Sequence, residues 1–443
     1  MTSSSAARRG LADMPVELVR HICTFLHPPC FTAPPQCRGQ RGEKVSLSRL
    51  SKACRRLRDI VQPFVFHCFP ELDQTSLVRL ARAVIARPDL AQHMKVIGVY
   101  DLGGLPDGEK RFVEEASLHL RLPDGEKRFV EEAILNLGLT AVARRWNTSN
   151  EGQYRHLPLE LVLLHAPNLE HLRIPLEYEW DPHKIRQLLA GTGRPAWLTK
   201  LRSLDIGHHF FKDERFTVSA AAPRALLQAA PNLEALCLPT PNCVGGGGGG
   251  VFPQPMRRLR RLYFKCNCFV DPALLADMLE DAPGLEVVAL HWDARAFVLL
   301  GDRTVADAWD ALARRRDSLR EIRLDVLKST SLGWGTGAGI RCFLSGMFPP
   351  GIREVTFWRL DGLAMRAAMQ MFAKVVALGR YPKLVKVTLA PSELTDRWGL
   401  NEWTNFEAWT QVRAELEEKF AKGGVTFEIK RDSPYWTASY LPD

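Results

Sequence analysis

The chain reads as an α/β protein: a small all-helical N-terminal module, then a curved solenoid of repeats carrying a parallel sheet. Three observations lead there. Residues 11–66 hold three short segments with helical apolar spacing. A hexad of the form Leu-x-x-Leu-x-Leu recurs over about 94–430. Amphipathic runs of helical length lie between the hexads.

Residues 1–10 read as a disordered N-terminus. Asp13 is placed to cap the first helix, and Pro15 fits its first turn, where a missing N–H costs nothing. Leu18, Ile22 and Phe25/Leu26 then form one apolar face. The segment HPPCFTAPPQCRGQRGEK (27–44) is rich in Pro and polar residues and reads as a surface loop. Val45, Leu47, Leu50 and Ala53/Cys54 mark a second helix, and Leu57, Ile60 and Val61 extend the pattern to Pro63. So few residues cannot bury all these apolar faces, which predicts an exposed strip that binds protein. Residues 67–93 read as a helical linker.

The hexads are LEHLRI (169–174), LRSLDI (201–206), LEALCL (233–238), LRRLYF (259–264), LEVVAL (285–290), LREIRL (319–324), IREVTF (352–357) and LVKVTL (384–389). MKVIGV (94–99) and VTFEIK (425–430) extend the series at either end. From LEHLRI to LVKVTL the starts are 26 to 34 residues apart, and three hexads share a lead-in: Ala166-Pro167-Asn168, Ala230-Pro231-Asn232 and Ala282-Pro283-Gly284. Strand side chains alternate, so positions 4 and 6 bury against the repeat's helix. ALLADMLEDA (273–282), DAWDALARRR (307–316) and AMRAAMQMFAKVVALG (364–379) supply such helices. Positions 3, 5 and 7 take the other face. They include His171, Arg173, Ser203, Asp205, Arg261, Tyr263, Lys265, His291, Glu321, Arg323, Asp325, Thr356 and Trp358. Tyr263, Arg323 and Trp358 are of the types enriched in binding hot spots, so they are the candidate target contacts.

Three stretches break the repeat. LPDGEKRFVEEA occurs at 105–116 and again at 122–133, a tandem duplication off the repeat period that reads as a surface insertion. Gly245–Gly250 is a flexible glycine run, and the aromatic tail 431–443 is placed to cap the last repeat.

Composition narrows the function. With 46% hydrophobic and 25% charged residues the chain is an ordinary globular one. No run nears the roughly 18 apolar residues that span a bilayer, and the N-terminus lacks an apolar signal region. That argues against a membrane and for the cytoplasm or nucleus, where ten scattered cysteines stay reduced. Asn147-Thr148-Ser149 then carries no glycan. Residues 1–70 hold 11 Lys/Arg against 4 Asp/Glu, so +7 of the net +9 sits on the N-terminal module and +2 on the rest. This points to an acidic protein partner there, not to nucleic acid along the repeats.

Chemistry-bearing motifs are lacking. GWGTGAG (333–339) fits neither phosphate-loop pattern. His27, Cys30 and Cys37 have no fourth zinc ligand at suitable spacing, and Cys266-x-Cys268 has no second pair. RRLRR (257–261) coincides with a strand start and reads as a solvated rim. The chain is therefore expected to be no enzyme and to hold no metal or cofactor.

Met14-Pro15, Glu17-Leu18, the following apolar helix, and SRLSKACRRLRDIV (48–61) together resemble an F-box. The hexads resemble leucine-rich repeats, in a form longer than the typical roughly 20–29 residues. The F-box resemblance implies binding to the Skp adaptor of cullin–RING ubiquitin ligases. Carried over by position, the contacts are Met14, Pro15, Leu18, Ile22 and Leu26, then Leu47, Leu50, Ser51, Cys54, Leu57 and Ile60. The sequence does not sort those facing a partner from those filling the module's own core. The insertion at 27–44, and Met14 where the family more often has Leu, depart from the pattern. The combination implies a substrate receptor of an SCF-type ligase: the F-box on the Skp adaptor and cullin scaffold, the repeats on an unidentified protein target. A non-catalytic scaffold acting outside ubiquitination is the alternative.

Overall fold

The computed structural model describes residues 11–26, 40–72, 74–99, 132, 157–175, 198–207, 226–238, 252, 256–264, 272–293, 312, 318–327, 348–358, 362–390 and 406–429. The chain divides into two compact units, Met1–Leu204 with Thr437–Asp443, and Asp205–Trp436.

The first unit opens with helices α1 (Val16–Leu26), α2 (Gln40–Ala53) and α3 (Arg55–Val65). Val19, Cys23, Leu47, Leu57, Ile60 and Val61 form their shared core, edged by Met14, Leu26, Leu50 and Phe64. Cys54 caps α3, its sulfur accepting from the Leu57 N–H at 3.5 Å. The Arg56 guanidinium donates to the Met14 carbonyl at 2.9 Å, tying α3 to the start of α1. Then come β1 (Cys68–Leu72), α4 (Gln74–Ala86), α5 (Pro88–Ala91), β2 (Val96–Val99), α6 (Leu157–His165) and β3 (His171–Pro175), and the boundary of the units falls within β4 (Ser203–Gly207).

The second unit holds β5 (Ala235–Leu238), β6 (Arg261–Phe264), α7 (Pro272–Asp281), β7 (Val287–Asp293), β8 (Glu321–Leu327), β9 (Glu354–Trp358), α8 (Gly362–Ala377), β10 (Lys386–Ala390), α9 (Phe406–Ala421) and β11 (Thr426–Ile429). The eleven strands are neighbours in chain order, β1 to β11, in one open sheet, and the pairings described are parallel.

All ten hexads carry a strand that begins at position 3 or, in VTFEIK, position 2. A repeated turn explains the offset. The N–H of the first apolar residue donates to the carbonyl three residues back: Leu169 to Ala166, Leu201 to Leu198, Leu233 to Ala230, Leu259 to Met256, Leu285 to Ala282, Ile352 to Pro349 and Leu384 to Tyr381. The shared lead-in is this turn. Pro167, Pro231 and Pro283 stand second in it, where a fixed φ near −65° fits. The next two N–H groups then donate together to one carbonyl of the preceding repeat, as Arg260 and Arg261 do to Glu234. The same paired donation recurs at Glu286 and Val287 to Arg260, Arg320 and Glu321 to Glu286, Arg353 and Glu354 to Arg320, and Val385 and Lys386 to Arg353, hooking these repeats to the ones before them.

In the second unit positions 4 and 6 form continuous buried rows, as alternation requires. Leu236, Leu262, Val288, Ile322, Val355 and Val387 align in register, and each is 0% exposed. Behind the last repeats Phe348, Phe357, Phe372, Tyr381, Phe420 and Phe427 fill the space with ring centroids 5.2–6.3 Å apart.

Two boundaries shift. Residues 40–44 belong to α2 and not to the loop, because Glu43 and Lys44 are good helix formers that the Pro- and Gly-rich flank obscured. Residues 67–93 are no plain helical linker: Cys68–Leu72 already pairs with β2. Its sequence CFPEL lacks the leucine pattern, and Pro70 is a residue found mainly at sheet edges, which suits the first strand of a sheet. The duplicated insertion apart from Glu132, the glycine run, the GWGTGAG segment, the tail 431–443, and His27, Cys30, Cys37, Asn147, Cys266 and Cys268 lie outside the described residues.

Candidate functional site

Burial sorts the residues of the N-terminal module. Leu47, Leu57 and Ile60 are core, and Ser51 is buried with its hydroxyl donating to the Ser48 carbonyl at 2.8 Å. Met14, Ile22, Leu26, Leu50 and Cys54 are half-buried. Pro15 is exposed, and so are Leu11 (43%), Leu18 (48%) and Phe25 (75%). α1 carries a second apolar face that its spacing did not single out. Val19 and Cys23 point inward, whereas Leu18 and Phe25 point to solvent. Leu11, Pro15, Leu18, Ile22 and Phe25 recur at helical spacing along one open strip. The ring of His21 meets Phe25 edge-on at 4.7 Å. Burial pushes the Cys23 thiol up, so it is a packing residue and not a reactive one. Arg49, Lys52, Arg55, Arg56 and Arg58 are exposed on α2 and α3.

The outer face of the repeats is less open than alternation suggested. Tyr263 is 3% exposed, and burial pushes its hydroxyl up to about 12. Its register neighbours Cys237 and Ala289 are buried too. The expectation that Tyr263 lies exposed is therefore corrected, as are those for His171 and Ser203, each 4% exposed. Alternation assigns a side chain to a face; it does not decide whether that face meets water. Arg323, Thr356 and Glu321 are half-buried, with Arg323 paired to Glu321 at 2.6 Å. Trp358 pairs in register with Asp325 and Ala390, while its side chain lies outside the described residues.

A second feature escaped the sequence reading. Position 2 carries charge in all hexads from MKVIGV to IREVTF, at the N-terminal edge of the strands, and not in LVKVTL or VTFEIK. In the first unit Lys95 pairs with Glu170. In the second the order is Glu234, Arg260, Glu286, Arg320, Arg353, with Arg260 and Glu286 paired at 2.5 Å. Writing the hexads one under another would have shown it. Over this edge lies an open cleft of about 460 Å³, lined by Arg257, Arg258, Arg260 and Arg320 with Glu234 and Glu286; Gly284 and Ser318 complete it.

Among the described residues no His, Cys, Asp and Glu side chains gather three or more together as for a metal ion, and no helix is long and apolar enough to cross a membrane. No protein-family model matches the chain, and no curated protein does either.

Proposed function

We propose that the chain is the substrate-recognition subunit of an SCF-type cullin–RING ubiquitin ligase. In this reading the three-helix module is an F-box that docks on the Skp adaptor, and the repeats are leucine-rich repeats, stacked as a curved solenoid, that hold a target protein. The exposed strip of Leu11, Pro15, Leu18 and Phe25 carries the reading. It lies on a module whose core is already closed by Val19, Cys23, Leu47, Leu57, Ile60 and Val61, so the strip is not needed for folding. Apolar side chains left outside a complete core mark a binding face. The exposed cations of α2 and α3 favour an acidic partner on that side.

The chain then contributes position and no bond-making group. Holding the target beside an E2 carried by the ligase raises the effective concentration of its lysines, the role that proximity plays in catalysis. Arg323 of β8 and Thr356 and Trp358 of β9 are the target contacts in this proposal. The site of action is the cytoplasm or nucleus.

Co-purification of the tagged chain from cells tests this. Wild type is expected to recover the Skp adaptor and the cullin, and Pro15→Ala with Leu18→Ala to lose both while staying folded. Recovery of the adaptor without the cullin favours a scaffold outside ubiquitination. Recovery of neither removes the F-box reading.

A further inference from the structure

We propose that the arginine-lined cleft at the N-terminal edge of β5–β8 docks an acidic segment of a partner protein, its carboxylates held by Arg257, Arg258 and Arg320. The inference deepens the reading of the repeats as a partner-binding surface and moves part of that surface from the outer face to the strand edge.

The cleft offers room and unspent charge together. Its volume is about 460 Å³, enough for a few residues of extended chain. Four arginines and two glutamates line it, a balance of +2. Glu286 satisfies Arg260. Arg257, Arg258 and Arg320 are exposed, and among the described residues none has an acceptor for its side chain. Three rotamer-rich cations around one hollow, without acceptors among the described residues, suit carboxylates, which a guanidinium binds with two parallel hydrogen bonds. Gly284 lets the chain pass close to the Arg257 backbone at the cleft: a Cβ there would stand 3.2 Å from the Arg257 carbonyl oxygen. The Arg353 N–H donates to the Arg320 carbonyl, so a further exposed arginine continues the basic side by one strand.

The floor argues against nucleic acid. Glu234 and Glu286 alternate with Arg260 and Arg320 across the strands, whereas a phosphate backbone needs an unbroken positive stripe. A peptide can place carboxylates on the arginines and its own N–H groups or a cation beside Glu234.

The test uses the full chain and a short fluorescein-labelled peptide of alternating Glu and Ser. Anisotropy is expected to show saturable binding that weakens with salt. The Gln-for-Glu peptide should not bind. Arg258→Glu with Arg320→Glu should weaken binding at least about tenfold, because charge-assisted hydrogen bonds become repulsions. Arg79→Glu, an exposed charge change on α4, should leave it unaltered. Circular dichroism reports that each variant is folded. The proposal is overturned by a flat titration, by equal loss in Arg79→Glu, or by tighter binding of single-stranded DNA. None of those outcomes touches adaptor docking through α1.

Discussion

Truncating Phe372 to alanine should open the core of the last repeats. Phe372 lies on α8 and is 0% exposed. Its ring centroid stands 5.4 Å from Phe348, 6.0 Å from Phe357, 5.8 Å from Tyr381 and 5.8 Å from Phe420. Those rings belong to β9, α9, the turn before β10 and the turn before β9. For the hole to collapse, four separate pieces of chain would have to move together. The cost should therefore fall in the upper part of the range for buried Phe→Ala, about 4–5 kcal/mol, where the transfer term is joined by a persistent cavity term. Phe372→Leu keeps most of the volume and should cost less than about 2 kcal/mol. Native-state hydrogen exchange followed by mass spectrometry reads this locally, in peptides covering Glu354–Trp358 and Lys386–Ala390. A loss below about 1 kcal/mol for alanine, or equal losses for alanine and leucine, would refute the packing argument.

Three further outcomes follow from the same structure. Burial lowers the His171 imidazole to about 4, against nearby Glu170, which raises it, and Arg202 and Lys95, which lower it further. Between its ordinary value of 6.5 and about 4 the unfolded chain binds a proton that the folded chain refuses, so stability falls as pH drops through that window. The full loss is on the order of 3 kcal/mol, and His171→Gln should flatten that part of a urea-midpoint profile against pH. Val19→Asp should unfold the N-terminal module, since it buries an unpaired charge, while Phe25→Asp should change its stability by no more than about 0.5 kcal/mol in thermal melts. Arg260→Ala breaks the pair with Glu286, but the arginine side chain is 60% exposed, so a urea titration should show a change below about 1 kcal/mol that shrinks in salt.

The strands were legible because the hexad states its own alternation: a Leu that closes the turn, then two apolar residues on one face. The inward face of α1 was not. Seven of its eleven residues are apolar, VELVRHICTFL, so more than one stripe satisfies helical spacing and only packing chooses between them. Docking against α2 and α3 took Val19 and Cys23, and left Leu18 and Phe25 outside. Tyr263 fails differently. Alternation gives it a face, but its exposure depends on neighbours that no local pattern names. β1 was hidden because Cys68–Leu72 pairs through its backbone while its sequence, CFPEL, lacks the leucine pattern. The charge row was present in the sequence, yet position 2 becomes a row only when strands stack in chain order.

The central claim is that α1 presents a docking strip for the Skp adaptor. Calorimetric titration of purified adaptor into the full chain tests it most directly, with Leu18→Asp plus Phe25→Asp as the comparison. Wild type should bind, and the double variant, with unchanged circular dichroism, should bind at least about a hundredfold more weakly, as loss of two central apolar anchors implies. A wild-type chain that releases no heat and shows no complex on gel filtration, or a double variant that binds as tightly as wild type, would contradict the account.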